Sequence, residues 1–163
     1  MTLRLRSALL LWAALIAPAL GGPVDTSAGP GKPPAPSTWS AQESALIETI
    51  EAYHAALTGA DVGAIESLVM TDDQFVMLEG RHSNWGWHDY RDHHLAGELE
   101  DLSKVRFRLS FYRVRVDAEL GYATFRYEVL PREGPEMDFG KGFATAVLER
   151  TGDQWKIRHL HTS

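Results

Sequence analysis

Hydrophobic positions along this chain change period several times, and each change marks an element. Leu46, Ile50, Tyr53, His54 and Leu57 recur three and four residues apart, the spacing that places side chains on one face of an α-helix. Ser40 with Glu43 three residues on supplies a capping box, and Thr58-Gly59 supplies a stop. The pattern predicts an amphipathic helix over 41–58. Asp61 caps a second, short helix reaching about Met70, with Ile65, Leu68 and Val69 apolar. Gln74–Glu79 reads as a short strand. The stretch that follows opens as a Gly- and Trp-bearing loop. From about Asp89, taken as its N-cap, a third helix buries Leu95, Leu99 and Leu102.

After Ser103 the period becomes two. Val105, Phe107, Leu109 and Phe111 alternate with Arg106, Arg108 and Ser110, the signature of a half-buried strand. The phase then flips, because Val114 and Val116 are apolar while Arg113 and Arg115 are polar. A bulge near Phe111–Tyr112 accounts for the flip. A turn at Asp117–Gly121 leads to a strand carrying Ala123, Phe125, Tyr127 and Val129. Gly142–Glu149 forms the next, and Thr151-Gly152-Asp153 turns into the last, Gln154–His161. Helices followed by a run of long strands imply an α+β domain: one curved antiparallel sheet with about three helices packed on one face.

The first forty residues follow no such pattern. Arg4 and Arg6 precede an apolar run over Ala8–Leu20, and Ala17-Pro18-Ala19 offers a small-x-small cleavage site, so 1–19 reads as a secretory signal peptide. The run is too short to span a membrane, which takes about 20 residues. Residues 20–39 are rich in Pro and Gly and read as an extended linker, leaving 40–163 as the folded domain. An exported protein, periplasmic or secreted and off the membrane after cleavage, is the expectation.

Charge and composition narrow the chemistry. The 163 residues carry 16 basic and 22 acidic side chains, and losing Arg4 and Arg6 makes the mature chain more acidic still. A nucleic-acid partner is not expected, since phosphate binding needs a cationic surface. With no cysteine, disulfides, thiolate metal sites and Cys nucleophiles are excluded. No Gly-rich phosphate loop, Gly-x-Ser-x-Gly elbow or His-Glu-x-x-His motif is present, and no cofactor is implied.

The domain resembles the nuclear-transport-factor-2-like superfamily, and within it the SnoaL-like group. The likeness is carried by the opening helix ALIETIEAYHAALTGAD, the strand QFVMLEG, the Gly-Trp-x-Asp entry to the third helix, and the closing WKIRHLHTS after a Gly-Asp turn. It implies a cone built from a bent sheet and helices, holding a largely apolar pocket, in a protein that pairs as a homodimer through its sheet face. Members include isomerases, dehydratases, cyclases and non-catalytic binders, so the fold alone does not choose among them.

Candidate site residues come from three places. On the last strand, alternation puts Trp155, Ile157, His159 and His161 on one face, which points both histidines into the cone as acid/base groups or ligand contacts. In the third helix, His93 and His94 follow His82 and His88; His94 is a second acid/base candidate, and Tyr90 lies beside it. If a metal is bound, His93 or His94 would be joined by His159 or His161, with Glu79 or Glu98 as oxygen donor. Trp85 and Trp87 either stack on a flat ligand at the cone mouth or plug its base, and Tyr127 points inward from a strand. Three readings of function result: an exported binder of a small, mainly apolar molecule, a metal-free cyclase, dehydratase or isomerase using His159 or His94, and a periplasmic metal-binding protein.

Overall fold

The computed structural model describes residues 38–163; the expected signal peptide and all but the end of the expected linker lie outside the described residues. The helix α1, Ala41–Gly59, begins at the capping box read from the sequence: the Ser40 hydroxyl accepts from the Glu43 amide at 3.2 Å, and the Glu43 carboxylate accepts from the Ser40 amide at 2.9 Å. It stops at Ala60, which takes a left-handed conformation with φ 52°. The Asp61 carboxylate caps α2, Val62–Leu68, by accepting from the Ala64 amide at 2.9 Å.

Two short strands follow, β1 (Val76–Glu79) and β2 (His82–Trp85). They pair as a hairpin, so part of the segment expected to be a loop is strand. The polar run His82-Ser83-Asn84-Trp85 carries no alternation, and only pairing with β1 makes it extended. The third helical region starts earlier than Asp89. It opens as α3, Trp87–Tyr90, passes through a π-helical turn at Arg91–Leu95, and resumes as α4, Ala96–Leu102. Its N-cap is Gly86, held at φ 90°, a conformation that side chains disfavour. Asp89 instead reaches back from the first turn, accepting from the Trp85 amide at 3.2 Å and the Asn84 side-chain amide at 2.9 Å.

Four long strands complete the chain: β3 (Val105–Asp117), β4 (Leu120–Pro131), β5 (Gly140–Thr151) and β6 (Gln154–Thr162). They form the expected antiparallel meander within a sheet ordered β2-β1-β6-β5-β4-β3. The sheet is nonetheless mixed, because β1 runs parallel to β6, setting Met77 beside Leu160 and Glu79 beside Thr162. That pairing joins residues some eighty positions apart, so no local pattern announces it. Among the described residues no helix is long and apolar enough to cross a membrane.

Two bulges shape the sheet. One lies between Phe111 and Arg113, where the apolar phase flips. The other lies on β6: Leu148 pairs with Ile157 but Val147 pairs with His159, so Arg158 is the extra residue. The helices lie against the concave face, where Leu46, Ile50, Ile65 and Leu95 of the helices meet Phe125, Ala146 and Leu148 of the strands, all fully buried. Each such aliphatic side chain stabilises the fold by about 1.5–3 kcal/mol relative to exposure.

Gly142 marks a close approach within that sheet. It is the cross-strand partner of Tyr127, and a methyl group there would meet the Tyr127 phenol and the Ser163 carbonyl. Gly142→Ala is expected to lower stability by about 1–3 kcal/mol, the usual range for overpacking. In urea this reads as an earlier midpoint at unchanged slope; an unchanged midpoint would mean that Tyr127 does not rest on Gly142.

Candidate functional site

A cavity of about 100 Å³ lies between the concave face of the sheet and the helices α1, α3 and α4. Its walls are mostly apolar: Leu57 from α1, Leu102 from α4, and Met77, Phe107, Val129 and Leu160 from the strands. Polar groups gather at one part of it. Tyr53 and Tyr90 meet hydroxyl to hydroxyl at 3.1 Å, and Glu79, Glu98, Tyr127 and Thr162 also face the space.

The β6 bulge decides which end of that strand enters the cavity. Trp155 and Ile157 face the core as alternation expects, but the extra residue shifts the phase, and Leu160 and Thr162 take the inward positions. His159 and His161 therefore stand on the opposite face, beside Val76 and Leu78 of β1 and Val147 and Thr145 of β5. Partial burial, helped by the neighbouring His161, pulls the His159 pKa below the usual histidine value. The expected inward orientation of both histidines is thus corrected. The signal was present in the sequence, since Ile157 and Leu160 are three apart, the same spacing that betrays the bulge between Phe111 and Val114.

The other expected site residues divide as follows. Trp85 is 68% exposed and lies outside the cavity wall. Trp87 is buried, with its ring against Phe75 at 5.6 Å and its indole N–H donating to Glu66 at 3.1 Å, so it plugs the fold. Tyr90 and Tyr127 do line the cavity. His93 is exposed on the π-helical turn. His94 is brought toward the cavity's polar end. The apolar residues Tyr90 and Leu95 are five apart, one more than an α-turn spans, and the π-turn lets both stay buried while holding His94 between β1, β2 and α4.

His94 is the hub of a polar chain that sequence reasoning did not assemble. Its Nδ1 is hydrogen-bonded to the Asn84 side-chain carbonyl at 2.8 Å, and the Asn84 amide donates to Asp89. Its Nε2 lies 3.4 Å from Glu98 and 3.6 Å from Glu79. Contact with the Glu98 carboxylate, joined by the charges of Glu98 and Glu79, raises the His94 pKa against the cost of burial. Burial pushes the Glu79 carboxyl up to about 7, with the Glu98 charge adding to the shift and His94 opposing it. The Tyr53 and Tyr90 phenols are also raised, chiefly by burial, and stay neutral. Neutral phenols beside a buried carboxyl can bind and polarise a ligand oxygen. An imidazole facing two carboxylates can hold a proton or a cation.

Residues 46–163 match the family of SnoaL-like domains. The chain belongs to that family. Among curated proteins, none matches it significantly. Solved structures agree on the fold of this SnoaL-like domain. A nuclear-transport-factor-2-like superfamily protein from Salmonella enterica is 18% identical with a TM-score of 0.57, over 74% of this chain and 89% of that one. A ketosteroid isomerase-like protein from Erwinia carotovora is 16% identical with a TM-score of 0.56, over 77% and 97%. A Nostoc punctiforme protein of unknown function with a cystatin-like fold is 13% identical with a TM-score of 0.66, over 76% and 91%.

His54 gives the cavity wall of this SnoaL-like domain a pH dependence. It is 7% exposed, its Nδ1 bonds the Ile50 carbonyl at 2.8 Å, and its ring packs on Phe107 and Phe125. Burial lowers its pKa to about 4. The unfolded chain therefore binds the proton more readily. The His54 contribution is intact above about pH 6.5, falls as pH drops toward 4, and levels off below, a loss of about 3 kcal/mol. Urea titrations at pH 7.5 and 4.5 should show that loss shrinking in His54→Phe; equal losses in both proteins would contradict it.

Proposed function

We propose that this SnoaL-like domain binds a small, mainly apolar molecule in its cone, held at one end through an oxygen atom. The observation that carries this reading is the cavity itself: apolar walls converging on the Tyr53–Tyr90 hydroxyl pair. In such a pair one hydroxyl donates to the other, which leaves a single O–H to offer a ligand acceptor. Because burial keeps both phenols neutral, a carbonyl or phenol oxygen suits them better than an ammonium group. Size limits the occupant further. An apolar cavity of about 150 Å³ holds one benzene ring, so about 100 Å³ sets one small ring or a short chain as the upper limit.

His159 lies on the other face, so in the enzyme reading an acid/base role at the cone falls to His94. The binding reading transfers to Tyr53, Tyr90, Glu79 and the Leu160 wall. Saturation-transfer NMR against cyclohexanone, phenol and 4-hydroxybenzaldehyde, compared with cyclohexane carrying no acceptor, tests it. At least one oxygen-bearing ring should bind, Tyr53→Phe should weaken it by about 5- to 10-fold, as losing one hydrogen bond does, and Leu160→Trp should abolish it by filling the space. Binding unaffected by Leu160→Trp, or no binding by any ring, would contradict the proposal.

A further inference from the structure

Three ligand atoms meet at the polar end of the cavity: one oxygen each from Glu79 on β1 and Glu98 on α4, and Nε2 of His94. All lie within 4.8 Å of one another. The separations from Nε2 are 3.4 Å to Glu98 and 3.6 Å to Glu79, longer than the roughly 2.7–2.9 Å of a charge-assisted hydrogen bond. They instead match the edge of a tetrahedron around a cation with bonds of about 2.1 Å, which is roughly 3.4 Å. The three groups are gathered with room for an ion between them.

The surroundings of His94 supply an independent argument. A histidine that binds a metal through one nitrogen usually donates the other N–H to a fixed acceptor, which sets its tautomer. Here the Asn84 side-chain carbonyl occupies that position at 2.8 Å, and Asn84 is itself buried and oriented by its bond to Asp89. With the proton on Nδ1, the Nε2 lone pair faces the two carboxylates. A further feature favours an ion. His94 and Glu98 stand one turn apart on the same helical segment, but Glu79 comes from β1, so the three-atom arrangement is not a by-product of one helix face. His82, the cross-strand partner of Glu79, brings a second imidazole ring to 5.5 Å from that of His94, outside the three-atom group itself.

We propose that Glu79, His94 and Glu98 form a binding site for one divalent first-row transition ion such as Zn²⁺ or Mn²⁺. One imidazole with two carboxylates is a donor set such ions accept. Glu79 and Glu98 also line the cavity, so the remaining coordination positions open toward it, where water or a ligand oxygen would complete the shell. The site differs from the histidine sets expected from sequence. His93 is exposed, and His159 and His161 lie across the sheet.

The test is calorimetric titration of the full-length chain, made without a histidine tag and stripped by chelation, with ZnCl₂ and then MnCl₂. No organic ligand is added, so failure here leaves the small-molecule reading standing, and failure of that reading leaves this one. One ion should bind per chain. His94→Ala and the isosteric Glu98→Gln should each weaken binding by at least about 10-fold, and Asn84→Ala by about 10- to 100-fold, as removing a supporting partner does. The double variant His159→Ala, His161→Ala should bind as the unaltered protein does. Circular dichroism and melting of Glu98→Gln guard against reading misfolding as lost affinity. Absence of stoichiometric binding, or affinity equal in Glu98→Gln and lost only in the His159/His161 double variant, would overturn the proposal.

Discussion

The bulge at Arg158 is the constraint on which the cavity depends. One extra residue in β6 turns its last four positions over, so Leu160 and Thr162 face the helices while His159 and His161 face away. Arg158 does not sit idle at that point. Its guanidinium forms a two-pronged bond to Glu149, at 2.9 and 2.8 Å, and also bonds Asp72. Both carboxyls are held below their usual range by this contact. Asp72 in turn accepts from the Gln74 amide through its side chain and from the Trp87 amide through its carbonyl. The bulge, the approach to β1 and the start of α3 are thereby fastened to a single arginine.

From that anchoring follows the composition of the site. β1 lies parallel to β6, so the inward residues of the one, Leu160 and Thr162, set the neighbours of Met77 and Glu79 on the other. Glu79 is thus carried under the helices, where burial raises its pKa, and opposite Glu98 and His94. A carboxyl in that position needs compensation: a proton, a cation or an imidazolium. The neighbouring phenols, Tyr53 and Tyr90, share one hydrogen bond and leave one O–H to offer a ligand. The cavity is therefore apolar along its walls and electrostatically demanding at one end, a combination suited to a ligand with one polar head.

Much of this was legible from the chain. The capping box at Ser40 and Glu43, the Asp61 cap and the meander from Val105 onward follow from local chemistry that nothing distant overrides. The bulge at Phe111–Tyr112 was visible because arginines and apolar residues exchange phase abruptly. The β6 bulge offers the same spacing, Ile157 to Leu160, but histidine suits either face and so masks the flip. The β2 strand and the parallel contact of β1 with β6 were illegible for another reason: they arise from pairing between segments, not from periodicity within one. Tyr127 could be read as inward, and Tyr53, His54, Glu79, Tyr90 and His94 could be singled out, but not their grouping. That required the π-turn, which a spacing of five between Tyr90 and Leu95 only hints at.

The orientation of β6 is the central claim, and the absence of native cysteine allows it to be measured directly. Single-cysteine variants Leu160→Cys and His161→Cys, exposed to a bulky maleimide under native conditions, report which position faces solvent. The account predicts that Cys at 161 labels at close to the rate of the unfolded chain, whereas Cys at 160 is protected until denaturant is added. Rapid labelling at 160 with protection at 161 would place the histidines in the cone and contradict it.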